Sequence, residues 1–492
     1  MKIAVVGAGL GGLSVSCLLA SKGHDVTVFE KNKEVGGKMN EIRAGGFRFD
    51  TGPSLLTMPF LLEKLYKVCG EDLQDHLEFV PLNPICRYFY QDGTVFNNFE
   101  NRQDSVEEIR SFSAEDADAY PKFLDHAAEL YEKTKDAFIF NPLYGFKDLK
   151  QLDILSFFGI DAFSTVAKKV DQEFRSEYMR KFFKRFATYN GSSPFQAPAT
   201  LNVIPHVELN QGGFYVKGGM YQVAKSLYDL ALSMGVNFHF EHPIQSLVIK
   251  DGEAQGLILN NGETVKAELI ISNSDATETI TNLIPDHSIK PSKKIKAESI
   301  EPSCSGYVLL LGLDKTYEQL VHHNIFFTEN YEYEFEQIFK DKVMPDDPTI
   351  YVANTSYSDP THAPDGGSNL FILVNAPYLN EHYDWDKNST SYGDMIIKEL
   401  QKRGLDSLSN HIVYRSHLTP VDFSEKYLSN KGSIYGTSSN NLFSAFLRPR
   451  NKSRDIEKLY MVGGSTHPGG GIPLVIQSAF NALTLIERYE KI

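Results

Sequence analysis

The chain of 492 residues has few cysteines and no long apolar runs. Its cysteines show neither CxxC spacing nor the spacing of metal ligands, which predicts reduced, mostly buried thiols in a cytosolic compartment and indicates no metal site. They are Cys17, Cys69, Cys86 and Cys304. The longest apolar runs, such as residues 308–311, are far shorter than the roughly 20 residues that cross a bilayer. We therefore expect neither a disulfide scaffold nor a membrane-spanning chain.

The chain also lacks the excess of basic residues that nucleic-acid binding requires. Its formal net charge is -14, whereas phosphate contacts need clustered lysine and arginine, so no nucleic-acid partner is expected. Hydrophobic residues make up 42% and charged residues 23%, which is typical of a globular protein. A chain of this length exceeds one compact core, so we expect two or three interleaved domains.

A complete dinucleotide-binding unit opens the sequence. An apolar strand runs into Gly7-Ala8-Gly9-Leu10-Gly11-Gly12, and Glu30 follows a second apolar strand. Gly7 permits the tight turn, Gly9 lets the backbone approach a pyrophosphate, and Gly12 lets the helix pack closely on the strand. Glu30 is expected to accept hydrogen bonds from a ribose. Cleavage of this apolar stretch as a secretory signal would destroy the site, so we expect it to be retained.

A second glycine pair narrows the choice of cofactor. Glu30 is followed by Lys31 and, after a short loop, by Gly36-Gly37-Lys38. This pattern resembles the extended FAD fingerprint of the amine oxidase and phytoene desaturase superfamily. The resemblance implies FAD as the cofactor, with the glycine pair beside its diphosphate and Lys38 on a phosphate or a ribose.

The segment Phe49-Asp50-Thr51-Gly52-Pro53-Ser54 is similar to the same superfamily. In relatives it runs along the flavin side of the cofactor, which implies contacts at Gly52, Pro53, Ser54 and Leu55. Asp50 has a second interpretation, as the cap of a helix that begins near Ser54.

The middle of the chain alternates between helical and strand-rich blocks. Residues from about 60 to 200 carry apolar residues at helical spacing, which predicts a helical block. Turn signals at Asp251-Gly252 and Asn260-Asn261-Gly262 predict antiparallel hairpins. In the resembled superfamily the residue matching Ile244 meets the adenine through its backbone, and plain core packing of Ile244 is compatible with that role.

A second glycine-rich loop lies near the C-terminus. It reads Gly463-Gly464-Ser465-Thr466-His467-Pro468-Gly469-Gly470-Gly471-Ile472-Pro473 and connects a strand to an apolar helix. Free amides at a helix N-terminus suit the pyrimidine end of a flavin, which gains negative charge on reduction. We predict cofactor contacts at Gly464, Gly471, Ile472 and Pro473.

With this loop, the resemblance to carotenoid desaturases of the phytoene desaturase family covers essentially the whole chain. Three further similar segments are Ala187-Thr188-Tyr189-Asn190-Gly191-Ser192-Ser193-Pro194, His322-His323-Asn324-Ile325-Phe326-Phe327 and Phe446-Leu447-Arg448-Pro449-Arg450-Asn451-Lys452-Ser453. Within the family, the triple glycine before Ile-Pro-Leu-Val and the stretch Ala197-Pro198-Ala199-Thr200 look most like hydroxycarotenoid 3,4-desaturases.

The resemblance implies an α/β fold: a Rossmann-type FAD-binding domain with an interleaved mixed α+β substrate domain and a helical cap. We assign residues 1–60, 205–275 and 416–492 to the FAD-binding domain. Residues 61–204 form the predicted cap, and residues 276–415 form the predicted substrate domain.

The implied activity is that of an FAD-dependent desaturase. It introduces C=C bonds into an acyclic carotenoid by hydride transfer to flavin N5 and proton loss, with oxygen or a quinone as electron acceptor. The branch implies a 1-hydroxycarotenoid 3,4-desaturase. The alternatives are a phytoene desaturase acting earlier in the pathway, a flavin-dependent carotenoid cis-trans isomerase, an amine oxidase, and a carotenoid carrier without turnover. The sequence shows no identifiable aromatic cage, which speaks against an amine oxidase.

The candidate catalytic residues are Arg185, Tyr189 and His467. A hydrocarbon has no ionisable group, and the cation left by hydride loss yields its proton to a weak base or to water, so we expect an apolar tunnel with few polar groups. Arg185 and Tyr189 lie one helical turn apart and either face the cavity or make a surface contact. His467 either transfers a proton or shapes the backbone. The adjacent His322 and His323 lack metal-ligand spacing.

An aromatic segment indicates contact with lipid. Residues 138–146 and 154–160 are rich in phenylalanine, with Lys147, Lys150, Lys168 and Lys169 nearby, a composition that suits an interfacial surface. Burial against another domain is the alternative. Because the substrate would partition into lipid, we expect a cytoplasmic protein that is peripheral on the inner face of the cell membrane.

Overall fold

The computed structural model describes residues 1–142, 161, 163–440 and 448–490. The strands within them are β1 (Lys2–Val6), β2 (Asp25–Phe29), β3 (Glu41–Ala44), β4 (Phe47–Asp50), β5 (Phe79–Pro81), β6 (Cys86–Phe89), β7 (Val95–Asn98), β8 (Phe214–Val216), β9 (Asn237–His239), β10 (Ile244–Lys250), β11 (Glu253–Leu259), β12 (Thr264–Lys266), β13 (Leu269–Ser272), β14 (Ser305–Leu313), β15 (His323–Phe326), β16 (Ile350–Asn354), β17 (Ser368–Ala376), β18 (Ile412–Leu418) and β19 (Leu459–Met461).

The helices of the described residues are α1 (Leu10–Ala20), α2 (Phe60–Val68), α3 (Arg102–Arg110), α4 (Ala114–Lys135), α5 (Val166–Glu173), α6 (Glu177–Lys184), α7 (Tyr221–Ser233), α8 (Ala276–Glu278), α9 (Pro291–Glu298), α10 (Tyr331–Glu336), α11 (Trp385–Lys402), α12 (Pro420–Tyr427) and α13 (Ile472–Glu490). In this part of the chain, no helix combines the length and the apolar character that a bilayer crossing requires.

A five-stranded parallel sheet forms the first part of the fold, in the order β19-β13-β1-β2-β9. Helix α1, which is apolar on all sides, packs against α7 and α13 on one face of this sheet. On the other face, the antiparallel sheet β10-β11-β12 contributes Leu247 and Leu257 to a core that includes Ile270 of β13. Parallel strands covered on both faces are near-continuously apolar, as β1 is. The predicted Rossmann-type α/β arrangement is confirmed.

The order of the parallel strands brings several loops to one edge of the sheet. Ligands of such sheets bind outside the carboxyl ends of the strands. The residues that follow β1, β2, β13 and β19 at this edge include Gly7, Glu30, Asn273 and Gly463. The four strands belong to the three segments that we assigned to the FAD-binding domain.

A seven-stranded sheet forms the second part, in the order β18-β14-β17-β16-β15-β6-β7. All nine residues of β14 are buried because both faces of the sheet are covered. Tyr307, Leu309 and Leu311 pack against α11. Val308 points to the opposite face and lines a cavity with Phe371 of β17. This sheet therefore separates a conventional apolar core from a hollow region.

Residues 61–204, which we predicted to form a helical cap, also contain the strands β5, β6 and β7. Strands β6 and β7 form a hairpin that joins the seven-stranded sheet, because β6 pairs in parallel with β15. The turn between them contains Asp92-Gly93, and Gly93 has a φ of 87°. This Asp-Gly pair is a hairpin signal that the sequence already contained. The strands on either side of this turn have only four residues each, and over so few residues the spacing of apolar residues does not distinguish a strand from a helix.

The helical part of this block has an aromatic core. Phe182 and Phe183 of α6 are fully buried and pack against Tyr120 and Phe123 of α4. Ser176 caps α6 by accepting a hydrogen bond from Met179 N at 3.3 Å. The apolar face of α6 fixes the rotation of the helix and so determines where the next residue, Arg185, points.

Candidate active site

An acidic side chain ends β2 at the edge of the parallel sheet. Glu30 is 5% exposed, and its carboxylate accepts hydrogen bonds from Ala8 N at 2.7 Å and Asn32 N at 2.8 Å. Gly7, with a φ of 92°, donates from its backbone N–H to Phe29 O at 2.8 Å. These bonds hold the carboxylate at the cavity wall, where a ribose hydroxyl can donate to its remaining lone pairs.

Glycine is required in the turn after β1 because neighbouring atoms, of the backbone at Gly12 and of the Asn273 side chain at Gly9, lie too close for a Cβ. A Cβ on Gly12 would lie 2.1 Å from Gly7 O, and a Cβ on Gly9 would lie 2.6 Å from Asn273 Nδ2. Gly9 is the N-cap of α1, and no side chain caps this helix. The first amides of α1 are therefore available to an anion in the cavity.

Asn273 was not predicted as a site residue. It follows β13, and its side-chain amide lies 2.6 Å from the position that a Cβ atom would take on Gly9 and on Gly11. The same side chain lies 2.9 Å from the Cβ position of Gly463, so it fills the space between three strand ends. The signal was present, because a polar asparagine directly follows a strand whose four residues are all buried.

The second glycine pair lies beside the first turn. Gly36 N donates to Ala8 O at 2.8 Å, and a Cβ on Gly36, where φ is 103°, would lie 2.1 Å from Met39 O. Lys38 reaches across the cavity and donates from Nζ to Ser433 O at 3.0 Å. Burial lowers the pKa of Lys38 to about 8, against the opposing effect of the Asp275 carboxylate. Lys31 donates to Glu425 O at 2.6 Å.

The segment after β4 also forms part of the cavity wall. A Cβ on Gly52 would lie 2.0 Å from Lys38 O, and Ser54 Oγ lies 2.6 Å from Tyr351 Oη. The alternative role of Asp50 is wrong, because no helix begins near Ser54 and the next one begins at Phe60. Asp50 instead pairs with Arg48 at 2.6 Å and accepts a hydrogen bond from Tyr221 N, at the start of α7, at 3.2 Å.

The C-terminal loop, residues 463–473, faces these segments. Gly463 has a φ of 107° and donates from its backbone N–H to Ser478 Oγ at 2.9 Å. Helix α13 begins at Ile472 and has no acidic residue in its first turn. Arg448 extends over this loop, and a Cβ on Gly469 would lie 3.2 Å from its Nε.

One cavity of about 640 Å³ connects all of these segments. Its wall includes every predicted cofactor residue except Gly12: Gly7, Gly9, Gly11, Glu30, Lys31, Gly36, Gly37, Lys38, Gly52, Pro53, Ser54, Leu55, Ile244, Gly464, Gly471, Ile472 and Pro473. Gly12 lies behind the wall, where α1 meets the turn. Ile244 both lines the cavity and packs against the core of the parallel sheet.

Beyond the glycine-rich part, the cavity continues between the two sheets. Apolar side chains line much of this part, among them Val207, Val308, Ile325, Phe371 and Leu373. The same wall contains buried charged groups, so the expectation of an apolar tunnel with few polar groups is only half right.

We call Arg185, Glu208, Tyr88 and Tyr189 the polar cluster. Arg185 donates to Glu208 Oε1 at 2.8 Å, to Tyr88 Oη at 2.6 Å and to Tyr189 Oη at 3.3 Å. Tyr189 in turn donates to Glu208 Oε2. Burial by itself lowers the pKa of Arg185, but the facing tyrosines and Glu208 raise it well above its ordinary value. Arg185, Tyr189 and Glu208 all line the cavity, so the predicted pair faces the cavity.

A second polar chain lies on the same wall and consists of His323, Tyr351 and Ser54. Tyr351 Oη lies 2.7 Å from His323 Nδ1 and 2.6 Å from Ser54 Oγ. Burial, together with the neighbouring His322, holds the pKa of His323 well below its usual range. The charge of Arg185 also lowers the pKa of His323, so these three hydrogen-bonded side chains lie within electrostatic reach of the polar cluster. His323 is therefore neutral.

His467, the third catalytic candidate, is not among the residues that line the cavity. Its Nε2 lies 3.2 Å from Asn141 O, and burial lowers its pKa to about 4. Its backbone N–H donates to Pro449 O at 2.9 Å, and its carbonyl accepts from Asn451 Nδ2 at 2.8 Å. This geometry favours the backbone-shaping role over proton transfer.

Within the described residues, no group of three or more histidine, cysteine or acidic side chains is arranged to hold a metal ion. His322 Nδ1 lies 2.7 Å from Ser358 Oγ, and burial lowers its pKa to about 3. Two predicted features fall outside the described residues: most of the aromatic segment at 138–160, including Phe157 and Phe158, and the first part of the segment at 446–453.

The sequence profile of the family described as flavin containing amine oxidoreductase matches residues 10–484. The chain belongs to this family. It is 36% identical over 483 residues to a 4,4'-diaponeurosporene oxygenase of Staphylococcus aureus, which covers 97% of this chain and 96% of that protein. It is 34% identical over 485 residues to a 4,4'-diapolycopene oxygenase of a Methylomonas species, with the same coverage of both chains.

Two solved structures share the fold of this chain. An oxidoreductase from Methanosarcina mazei superposes with a TM-score of 0.66 at 16% identity and covers 98% of this chain and 100% of its own. Cyclohexylamine oxidase from Brevibacterium oxydans superposes with a TM-score of 0.61 at 16% identity and covers 99% of both chains. At these identities the likeness concerns the fold alone.

Family membership confirms the predicted FAD cofactor and the predicted carotenoid desaturase-like group of FAD-dependent oxidoreductases. The protein is an FAD-dependent oxidoreductase. Its cavity fits the cofactor, because glycines stand wherever a Cβ would collide and the uncapped amides of α1 face the place for a diphosphate. When bound, FAD accepts two electrons as a hydride. The contacts of individual residues with FAD remain predictions, and the positions of these residues around the cavity are compatible with them.

The sequence did not identify Glu208 and Arg448 as site residues. Glu208 lies in a short π turn at His206–Asn210 and carries no local motif, so no signal pointed to it. Arg448 lies inside a segment that resembles the family, but nothing in its neighbourhood showed that its side chain enters the cavity.

Proposed function

We propose that this protein oxidises an acyclic carotenoid near one end of the chain, where the substrate carries or acquires an oxygen atom. Two similar proteins are named as oxygenases of 4,4'-diaponeurosporene and 4,4'-diapolycopene, which are linear carotenoids. The similarity extends over 97% of the chain, so it includes the cavity as well as the glycine motifs.

The chemistry of such a substrate leaves two outcomes for the protein to choose between. Loss of a hydride from carbon beside the polyene leaves a delocalised cation on the substrate. If the cation loses a neighbouring proton to a base, a new C=C bond forms. If water adds and its proton leaves, an alcohol forms, and a second hydride loss with proton loss converts that alcohol to an aldehyde. Oxygen or a quinone then reoxidises the cofactor.

Two buried polar atoms that make no hydrogen bond with any described residue are the observation that supports an oxygenated end of the substrate. A hydrocarbon gives no hydrogen bonds, and buried charges without partners are costly, so a cavity for phytoene alone is expected to be apolar. Here Arg185 Nε and His323 Nε2 are buried and make no hydrogen bond with any described residue. Both residues line the cavity. A hydroxyl, an aldehyde or a water molecule would provide the missing partner.

The neutral His323 suits the role of accepting a proton. Its low pKa keeps the imidazole uncharged, and Tyr351 and Ser54 fix the orientation of its ring. Arg185 carries a permanent charge and suits the role of orienting the oxygen of the end group or of water. The two side chains therefore offer a base and an orienting cation on the same wall of the cavity.

Two activities fit this arrangement. Oxidation of a terminal methyl group is favoured by the names of the similar proteins. The 1-hydroxycarotenoid 3,4-desaturase is favoured by the triple glycine before Ile472 and by the stretch at residues 197–200. Both place an oxygen near the reacting bond, which a phytoene desaturase does not.

Product analysis decides between them. The protein is co-expressed with pathways that supply phytoene, lycopene, 4,4'-diaponeurosporene or a 1-hydroxylated carotenoid, and the pigments are identified by mass spectrometry. With 4,4'-diaponeurosporene as the substrate, we expect products that contain an added oxygen atom. This oxygen atom should carry the label when the water is isotopically enriched. Loss of two hydrogens from the 1-hydroxylated substrate identifies the desaturase instead. Activity on phytoene alone, isomerisation without mass change, oxidation of simple amines, or binding without turnover contradicts the proposal.

We also propose that the protein is cytoplasmic and docks on the inner face of the cell membrane, because its proposed substrate resides in lipid. Phe163, which is 89% exposed, borders the aromatic segment. Liposome flotation of the wild-type protein is compared with F163S and with the control I295S, whose exposed isoleucine lies on α9. We expect F163S alone to reduce recovery with the liposomes. Equal recovery of all three proteins, or no flotation of the wild type, contradicts membrane docking.

A further inference from the structure

The cavity wall holds a buried positive charge that has no acidic partner among the described residues. The buried arginines of the described residues are Arg48, Arg185 and Arg448. Arg48 pairs with Asp50 at 2.6 Å, and Arg185 pairs with Glu208 at 2.8 Å. Arg448, which is 7% exposed, forms no salt bridge with any residue that the structure describes. It is therefore the exception among three similar side chains.

The guanidinium of Arg448 has weak partners. It donates to Tyr435 O and Gly464 O at 3.4 Å each and to Ser439 Oγ at 3.2 Å. These distances lie at or beyond the long end of the range for N–H···O bonds, and all three acceptors are neutral. Burial lowers the pKa of Arg448 to about 10, so the group stays charged at neutral pH. A buried cation is normally retained only where an anion compensates it.

The position of Arg448 along the cavity indicates which anion would compensate its charge. Glu30 and the N-terminus of α1 mark the ribose and diphosphate end of the cofactor. In the sheet order, β19 lies on the other side of β1 from β2, and the loop after β19 leads into α13. Arg448 contacts Gly464 of this loop, so it lies at the end of the cavity that is left for the flavin ring.

We propose that Arg448 faces the flavin ring of bound FAD and stabilises the negative charge that the ring gains on reduction. The N-terminus of α13 acts in the same direction, since it brings amides to the same loop and has no acidic residue in its first turn. Hydride transfer to the neutral oxidised ring adds two electrons and one proton, which leaves one negative charge and requires no further reactant. The role is independent of the identity of the substrate.

The test is the reduction potential of the intact FAD-loaded protein, measured by anaerobic equilibration with reference dyes. R448M is compared with R448K and with the control R450M, since Arg450 lies two residues away and does not line the cavity. We expect R448M to shift the equilibrium at least tenfold toward oxidised FAD, which is a fall of about 30 mV for a two-electron couple. R448K and R450M are expected to stay within threefold of the wild type.

A second measurement covers the case in which R448M loses its cofactor. The apoprotein is titrated with oxidised FAD and, under anaerobic conditions, with reduced FAD, because linkage makes the ratio of these dissociation constants report the same free energy as the potential. R448M is expected to weaken binding of reduced FAD at least tenfold more than binding of oxidised FAD. Equal weakening of both forms, or an unchanged potential, means that Arg448 only braces the loop and overturns the proposal.

Discussion

The two halves of the cavity are built by different means. In the cofactor half, the turns after β1 and β19 lie so close to each other and to the side chain of Asn273 that only glycine fits, and backbone amides form much of the binding surface. In the substrate half, the surface consists of side chains such as Arg185, Glu208 and His323, which lie on separate elements. The first half depends on the absence of side chains, and the second depends on their partners.

The halves therefore differ in how a mutation acts. A side chain added in the cofactor half collides with backbone, which cannot move without shifting a strand or a helix. A side chain removed in the substrate half leaves a buried partner unsatisfied. The first kind of lesion should abolish FAD binding, and the second should spare it.

The largest effect on FAD binding is expected from G12A. The new Cβ would lie 2.1 Å from Gly7 O, so α1 must move away from the turn that receives the diphosphate. We expect FAD affinity to fall by at least about a hundredfold, or roughly 2.7 kcal/mol. The flavin content of the purified protein, from the ratio of flavin to protein absorbance, and titration of the apoprotein with FAD measure this loss.

G262A is the control for this variant. Gly262 has a φ of 85° in a hairpin turn, and no atom lies within 4 Å of its Cβ position. Its replacement strains the backbone by about 1 kcal/mol but leaves the cavity intact, so full flavin content is expected. If G12A also kept full flavin content, close packing would not be the reason for glycine in the cofactor half.

The same difference explains how far the sequence could be interpreted. Glycines such as Gly9 and Gly36 serve a local geometry, and local geometry leaves a local pattern, so the FAD site could be predicted. Asn273 was missed although it follows a buried strand, because its role depends on a neighbouring loop. Glu208 could not have been found, because its only signal is its contact with Arg185, 23 residues away in the chain. The hairpin β6-β7 was missed because its partner strand, β15, is distant in sequence.

The second effect concerns the polar cluster. R185M leaves Glu208, which is 1% exposed, without its ion-pair partner, and such losses cost about 3–5 kcal/mol. We expect a lower free energy of unfolding and loss of product, with FAD bound at wild-type stoichiometry. Denaturant unfolding, product analysis and flavin content measure the three quantities separately.

Two further variants separate stability from function in the polar cluster. R185M/E208Q removes both charges and should regain most of the stability without regaining product. The control R110M breaks the exposed pair with Asp118 and should cost less than about 1 kcal/mol. Full activity of R185M/E208Q would show that the polar cluster serves packing alone, and loss of FAD from R185M would show that the two halves are not independent.

The smallest effect is a pH dependence to which both halves contribute. Burial lowers the pKa of His467, which lies behind the cofactor half, to about 4 and that of His322, which lies behind the substrate half, to about 3, from an ordinary 6.5. Both are neutral in the folded protein near neutral pH, whereas the unfolded chain binds protons as the pH falls below 6.5. The stability present above that pH is therefore lost progressively toward the folded pKa values.

Each of these histidines is expected to remove roughly 1–2 kcal/mol between pH 6.5 and about pH 5, because a shift of one pKa unit corresponds to about 1.4 kcal/mol. H467Q and H322Q should each flatten the pH dependence of the unfolding free energy by that amount. H287Q, which changes an exposed histidine, should leave it unchanged. If both buried variants kept the wild-type slope of unfolding free energy against pH between about pH 5 and about pH 7, neither histidine would release a proton on folding. The sensitivity of the protein to acid would then come from the carboxylates of the substrate half.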